Sequence, residues 1–361
     1  MSLKVAIVGC GQIADGHLEQ LQKLGTARVT AVCDREPLMA EQLASRYGIP
    51  RFYADFDELL ERERPDVVHV TTPPQSHRAL ALRAMDCGCH VYVEKPFAPT
   101  TADARAILEH ADKLGRKITI GYTYAYDPPA VDLMEMVAKG LVGEPLHVES
   151  FYGYDLQGSY GTAIFGKPGH WVHDLPGALL RNNIDHLLNK ITPFMLDERP
   201  AIQAMGWVRR ERRYGDRRDA AHDELRVVLR GEKVSAYATF SAHARPVAHF
   251  VRVYGTKNTV HADFVSRTVT LGRGSRLPSA IGRLAIGFAQ ALEQLRAATR
   301  NAARFARSEF QFFAGLERLM TLYYRSILEG TPPPIPHRDI LRVSEWADRI
   351  IGQLAGSSDD P

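Results

Sequence analysis

Val5-Ala6-Ile7-Val8-Gly9-Cys10-Gly11-Gln12-Ile13-Ala14 is the stretch on which the fold of this 361-residue chain turns. Four consecutive apolar residues read as a strand buried on both faces, and a helical pattern follows through Leu18, Leu21 and Leu24 until Gly25 stops it. Between them stands G-x-G-x-x-A, in the strand-turn-helix context that a dinucleotide fingerprint requires. Gly9 permits the tight turn, Gly11 lets a pyrophosphate approach the backbone, and Ala14 lets the helix lie close to the sheet. Gln12 and Ile13 then offer first-turn N–H groups at the positive end of the helix dipole.

Strand and helix patterns keep alternating outward from this loop. Val29-Thr30-Ala31-Val32-Cys33 ends in Asp34, at about the twenty-residue distance where an acid accepts hydrogen bonds from the adenosine ribose. This favours NAD; Arg35, next in the chain, is placed to pair with a 2′-phosphate and keeps NADP as the alternative. Asp34 also reads as a cap for the helix after Pro37, which is compatible with the ribose role. A third strand, Asp66-Val67-Val68-His69-Val70, runs into Thr71-Thr72-Pro73-Pro74-Gln75-Ser76-His77. The prolines keep this loop extended, Thr72 and Pro73 line the cofactor cleft, and Ser76 is the expected N-cap of the next helix. His77 is either a surface residue of the first turn or a contact on the nicotinamide side. The run His90-Val91-Tyr92-Val93 ends in Glu94-Lys95-Pro96, which puts a lysine at the carboxyl edge of an open α/β sheet, where ligands bind. Pro96 removes a backbone donor and stiffens the turn, and Glu94 and Lys95 are expected beside the cofactor. Lys117 to Gly121 reads as the last strand, so a Rossmann domain is expected over 1–122.

The length predicts two domains, and a hydrophobic fraction of 45% with 24% charged residues is ordinary for a soluble globular protein. A net charge of +3 is too small to argue for nucleic acid. No apolar run approaches a membrane span, and Met1-Ser2-Leu3-Lys4 leads straight into the first strand without signal-peptide architecture, so a cytoplasmic protein is expected. Cys10, Cys33, Cys87 and Cys89 read as reduced structural thiols, and with no second Cys/His pair at zinc spacing no metal is expected.

From Leu146 strands follow one another with little helix between: 147–154, 202–209, 225–229, 234–240, 249–254 and 259–263. They predict a C-terminal α+β domain over 123–361, built on an open, mostly antiparallel sheet. An open face with apolar residues needs a second cover, so a homodimer or homotetramer is expected. One helix breaks the series, with Leu179, Leu180, Ile184, Leu187 and Leu188 as its buried stripe and Asn182, His186 and Asn189 sharing another face. Tyr122, Tyr124 and Tyr126, with Trp171 and His173 in the loop Gly169 to Asp174, read equally as ligand contacts or as packing. Arginines crowd two regions, 209–218 and 283–307; they read as solvated surface, or as the mark of an anionic substrate or an acidic membrane surface.

Along nearly its whole length the chain resembles the Gfo/Idh/MocA family of NAD(P)-dependent sugar and cyclitol oxidoreductases. The resemblance rests on Gly9-x-Gly11-x-x-Ala14, Asp34, Thr72-Pro73-Pro74 with His77, Glu94-Lys95-Pro96, Gly121 with Tyr126-x-Pro128, the helix of Asn182 and His186, and Val253-Tyr254-Gly255-Thr256-Lys257. It implies that Lys95 hydrogen-bonds the reacting hydroxyl, that His186 is the acid/base with Asn182 beside it, and that Tyr124, Trp171, His173 and Asp185 face a carbohydrate-type substrate. Ile184 and Asp185 depart from the family pattern, which usually has a glycine and a neutral residue there, and Ala125 stands where an arginine is common. Two other functions share this domain: an NAD-dependent glycoside hydrolase acting by transient oxidation, and a dinucleotide-sensing regulator without catalysis, against which the pair Lys95 and His186 argues.

Overall fold

The computed structural model describes residues 2–158, 161, 169–210, 212–214, 217–219, 221–274, 277–307, 311 and 313–356. The chain divides into two compact units, Met1–Thr123 with Gly315–Glu345, and Tyr124–Ala314 with Trp346–Pro361.

In the first unit β1 (Leu3–Val8), β2 (Ala27–Cys33), β3 (Arg51–Tyr53), β4 (Val67–Val70), β5 (His90–Val93) and β6 (Ile118–Ile120) are all parallel, in the order β3-β2-β1-β4-β5-β6. The connecting helices are α1 (Gln12–Lys23), α2 (Pro37–Tyr47), α3 (Phe56–Glu63), α4 (His77–Asp86) and α5 (Thr101–Leu114). Strand order reverses between β1 and β4, which opens the crevice where such sheets take ligands. Asp55 caps α3 by accepting from Glu58 N at 2.8 Å, and Thr100 caps α5 by accepting from Asp103 N at 3.2 Å. Ser76 does not cap α4: a 3₁₀ turn, Pro74–Ser76, precedes the helix, and the Ser76 hydroxyl lies 2.7 Å from Thr72 Oγ1 and 2.9 Å from Pro73 O instead.

The sequence assigns everything after residue 122 to a second domain, whereas the structure returns Gly315–Glu345 to the first unit. The reason is local to Tyr323 and Tyr324, both fully buried. Tyr323 Oη lies 2.9 Å from the carbonyl oxygens of Val91 and Lys117, so the segment is hydrogen-bonded to the ends of the sheet strands.

The second unit opens with α6 (Pro128–Ala138), β7 (Pro145–Asp155), α7 (Ala178–Leu188) and β8 (Ala201–Trp207). The hairpin β9 (Arg212–Tyr214) and β10 (Arg217–Asp219) is followed by β11 (Glu224–Arg230), β12 (Ser235–Ser241), β13 (His243–Gly255), β14 (Asn258–Asp263) and β15 (Thr268–Arg273). Helix α8 (Ser279–Ala306) follows; later in the chain come α9 (Ala314–Glu329), which from Gly315 on belongs to the first unit, and α10 (His337–Gly356), which belongs to the second from Trp346 on. Seven strands form one sheet in the order β15-β14-β13-β7-β12-β11-β8, antiparallel except for the pair β7 and β12. That parallel pair needs a crossover, which runs through α7 and β8. On β11 the period of two is plain: Leu225, Val227 and Leu229 are buried while Arg226, Val228 and Arg230 are exposed. Helix α7 packs on β7 and β12 through its leucine stripe. The side chains of Arg212, Arg213, Arg217 and Arg218, and the C-terminal Ser-Ser-Asp-Asp-Pro, lie outside the described residues.

Candidate active site

Gly9 and Gly11 do different work, as their surroundings show. Gly9 has φ +99°, and a Cβ there would lie 2.7 Å from Thr71 C and from Thr72 N, so the end of β1 abuts the loop after β4. Thr71 Oγ1 ties the two together, 2.6 Å from Gly9 O and 3.0 Å from Val8 O. Gly11 has open space where its Cβ would be, no side chain caps the N-terminus of α1, and Gln12 and Ile13 are exposed. These features form a cradle of backbone N–H groups fit for phosphates. Asp34 Oδ2 accepts from Cys10 N at 2.7 Å and Oδ1 from Glu36 N at 3.0 Å, which holds the carboxylate beside that loop with acceptor capacity left over. Arg35 and Pro73 are exposed and Thr72 is half-buried.

Lys95 follows β5, at the same carboxyl edge as Gly9 after β1 and Thr72 after β4. Glu94 is buried and turned inward. Its Oε2 accepts from Lys95 N at 3.1 Å, and Oε1 lies 2.9 Å from His17 Nε2. Gly121 makes room for this carboxylate, since a Cβ there would lie 2.6 Å from Glu94 Oε1. A buried relay continues from His17 Nδ1 to His69 Nδ1 at 2.8 Å and from His69 Nε2 to Tyr324 Oη at 2.9 Å. Burial, and His17 next to it, hold the His69 pKa well below its ordinary value. With His69 neutral and Glu94 an acceptor, one order of protons satisfies every contact: Tyr324 donates to His69, His69 to His17, and His17 to Glu94. The relay therefore braces the backbone that carries Lys95. His77 belongs to the same interior. It is fully buried, its Nε2 2.8 Å from Thr72 O and its Nδ1 3.2 Å from Phe97 O, so it is neither a surface residue nor exposed toward a ligand. Both His77 and Glu94 shape the cofactor loops from behind.

Three of the four thiols are buried, and Cys87 is exposed. Burial pushes those of Cys10, Cys33 and Cys89 up to about 12, and Cys89 Sγ lies 3.1 Å from Pro65 O.

In the second unit, α7 presents His186 half-buried among aromatic rings. Its ring meets Tyr124 edge-on at 5.0 Å and Tyr152 at 5.1 Å. Beyond these, His249 packs against Tyr124 at 4.4 Å and stacks on Phe264 at 4.5 Å. Lys190, one helical turn after His186, bonds the His186 carbonyl oxygen, and its Nζ lies 2.8 Å from His249 Nε2. Sequence reasoning missed Lys190, His249 and Tyr152; the only available signal was the spacing of four between His186 and Lys190. Asn182 and Asp185, on the preceding turn, are buried, at 2% and 4% exposure, so neither has the open surface expected of a substrate contact. Trp171 and His173 are half-buried on a 3₁₀ turn, Trp171–Asp174, where the His170 ring lies 5.2 Å from Trp171.

Burial lowers the Lys190 pKa to about 7, with Asp127 opposing the shift, and drives that of His249 well below its usual value, helped by Lys190 and His186. The consequence for stability has a definite sign. Between pH 7 and 10.5 the unfolded chain holds a proton on Lys190 that the folded chain has released, so stability rises with pH across that window. One such proton corresponds to about 1.4 kcal/mol per pH unit. Lys190→Met should remove that rise from the urea-unfolding free energy measured between pH 7 and 10. An unchanged slope would mean that Lys190 is solvated.

A parallel sheet with a glycine cradle at its switch point and a lysine on the same edge defines a dinucleotide-binding Rossmann protein. Residues 3–122 match the Gfo/Idh/MocA oxidoreductase family with the NAD-binding Rossmann fold. It is similar to the D-glucoside 3-dehydrogenase of Escherichia coli, 36% identical over 143 residues, which cover 39% of this chain and 41% of that protein. It is also similar to the inositol 2-dehydrogenase of Salmonella typhimurium, 33% identical over 151 residues, 41% of this chain and 45% of that one. The chain thus spans less than half the length of these relatives. Over the whole chain the fold is that of a levoglucosan dehydrogenase solved with NADH and levoglucosan, with TM-score 0.80, 16% identity and coverage of 99% of this chain and 98% of that one. No helix among the described residues is long and apolar enough to cross a membrane.

Proposed function

We propose that this protein transfers a hydride between NAD and a secondary alcohol or ketone of a sugar, cyclitol or nucleotide-linked sugar. The observation that carries the reading is Lys95, braced by Glu94 and the buried histidine relay, on the sheet edge that bears the Gly9 and Gly11 cradle. The activities of the glucoside and inositol relatives support the substrate class. Gly9, Gly11, the first turn of α1 at Gln12 and Ile13, Asp34, and the loop of Thr72 and Pro73 would hold the dinucleotide, whose nicotinamide supplies the hydride acceptor when bound. Oxidation of a secondary alcohol also requires loss of its hydroxyl proton. His186 takes that proton, and the Lys95 ammonium stabilises the developing alkoxide. Asn182, buried one turn before His186, orients the imidazole rather than the substrate. Tyr124 and Tyr152 set the ring edge-on.

The test is a screen of sugars, inositols and nucleotide-sugars for absorbance change at the reduced nicotinamide band, with both cofactors; no turnover across the panel would sink the substrate class. NAD should raise the melting temperature more than NADP, because the Asp34 carboxylate repels a 2′-phosphate. At a hundredfold its dissociation constant NAD should add about 2.7 kcal/mol to stability. A larger shift with NADP would transfer the role to Arg35. A homodimer or homotetramer through the open face of the C-terminal sheet is supported by Met205, Val228 and Tyr237, which are exposed there. Light scattering that reports a monomer at micromolar concentration would remove that part.

A further inference from the structure

Helix α8 has two opposite faces, and among the described residues of its unit only one of them is used. On the packed side Ala297 is buried, and Asn301 Nδ2 lies 2.8 Å from Ser266 O and 2.9 Å from Arg267 O. Arg304 pairs with Asp132 at 3.2 Å on the same side. On the other side Ile281, Leu284, Phe288, Leu292 and Leu295 are exposed at 59%, 67%, 72%, 47% and 63%. Their spacing of three and four places all five within an arc of about 80° at 3.6 residues per turn, turned away from the packed side. Isolated exposed leucines need no explanation, but a continuous stripe of five large apolar side chains along one helix does.

The charges beside the stripe select what covers it. The helix carries four arginines, Arg283, Arg296, Arg300 and Arg304, against the single acid Glu293, and Arg307 follows directly. Glu293 is already engaged, 3.1 Å from Arg296 and 3.7 Å from Arg273. Arg283, Arg300 and Arg307 have no acidic partner among the described residues. We infer that α8 lies flat on an anionic lipid surface, with its leucine and phenylalanine stripe in the acyl boundary and the flanking Arg300 and Arg307 on the phosphates, so that the protein docks peripherally to a membrane. A second copy suits the stripe less well. Antiparallel pairing of the helix with itself would cover the stripe but bring no acid to Arg300 and Arg307, since Glu293 is the only acid of the helix and is already engaged. The inference rests on α8 alone and is independent of the reaction proposed above.

The test is sedimentation of the full chain with phosphatidylcholine vesicles and with vesicles containing about one-third phosphatidylglycerol, at low and at physiological salt. Retention on the anionic vesicles is expected, weakening as salt screens the arginines. Arg300→Gln should reduce binding about fivefold, the share of one cation at such a surface. Phe288→Glu with Leu292→Glu should abolish it; both sites are exposed, and circular dichroism checks that the variant is folded. Absence of retention at physiological salt, equal retention on neutral vesicles, or full retention of the folded double variant would each overturn the proposal. So would light scattering that shows a dimer for the native chain and a monomer for the double variant, because a second copy would then own the stripe.

Discussion

His186→Ala and Lys95→Ala are each expected to lower turnover by about 10²- to 10⁴-fold, the span of a positioned acid or base. NAD affinity should hardly move, because neither residue belongs to the glycine cradle or to the Asp34 contact. If the two groups act as proposed, on one proton inventory in one transition state, the double variant should fall little below the worse single one. Steady-state kinetics on a turned-over substrate, with NAD titration of each variant, reads both parts. Near-normal turnover of His186→Ala would move the base elsewhere, with half-buried His173 ahead of Asp185, whose burial takes it out of first place.

Gly9→Ala is the second large effect, and it acts on folding as well as on the cofactor. The new methyl would stand 2.7 Å from the backbone of Thr71 and Thr72 at a φ of +99°, where neither the backbone nor the clash can relax cheaply. A loss of about 2–4 kcal/mol is expected, with NAD binding weakened beyond detection in the variant that still folds. Gly11→Ala is the informative control. Its Cβ meets nothing within 4 Å, so native stability should hold while the methyl occupies space meant for the pyrophosphate. Thermal melts with and without NAD separate the two. Equal destabilisation by both substitutions would show that the cradle is packed rather than open.

The parts of the site legible in the sequence are those whose signal is local. The loop from Gly9 to Ala14, Asp34 at the end of its strand, and Lys95 after an apolar run each follow from a few consecutive residues with a known backbone consequence. The leucine stripe of α7 shows in the same way through its period. Roles were harder to read than positions. Glu94 and His77 fall in the expected loops, but their side chains point inward, to His17 and to the carbonyl oxygens of Thr72 and Phe97. The same run of residues fits an inward or an outward carboxylate, and only packing against Gly121 decides between them.

By itself, then, the sequence determined the Rossmann half, the antiparallel character of the second sheet and the placing of Lys95 and His186 on a strand edge and a helix. These follow from period, turn chemistry and glycine placement, which act over a few residues. Tertiary structure alone decided what surrounds them. His17 meets His69 across 52 positions, Lys190 meets His249 across 59, and His69 meets Tyr324 across 255, which also draws Gly315–Glu345 into the first unit. No periodicity links such residues. A buried polar group must find a partner wherever the fold delivers one, and which one arrives depends on how whole elements pack.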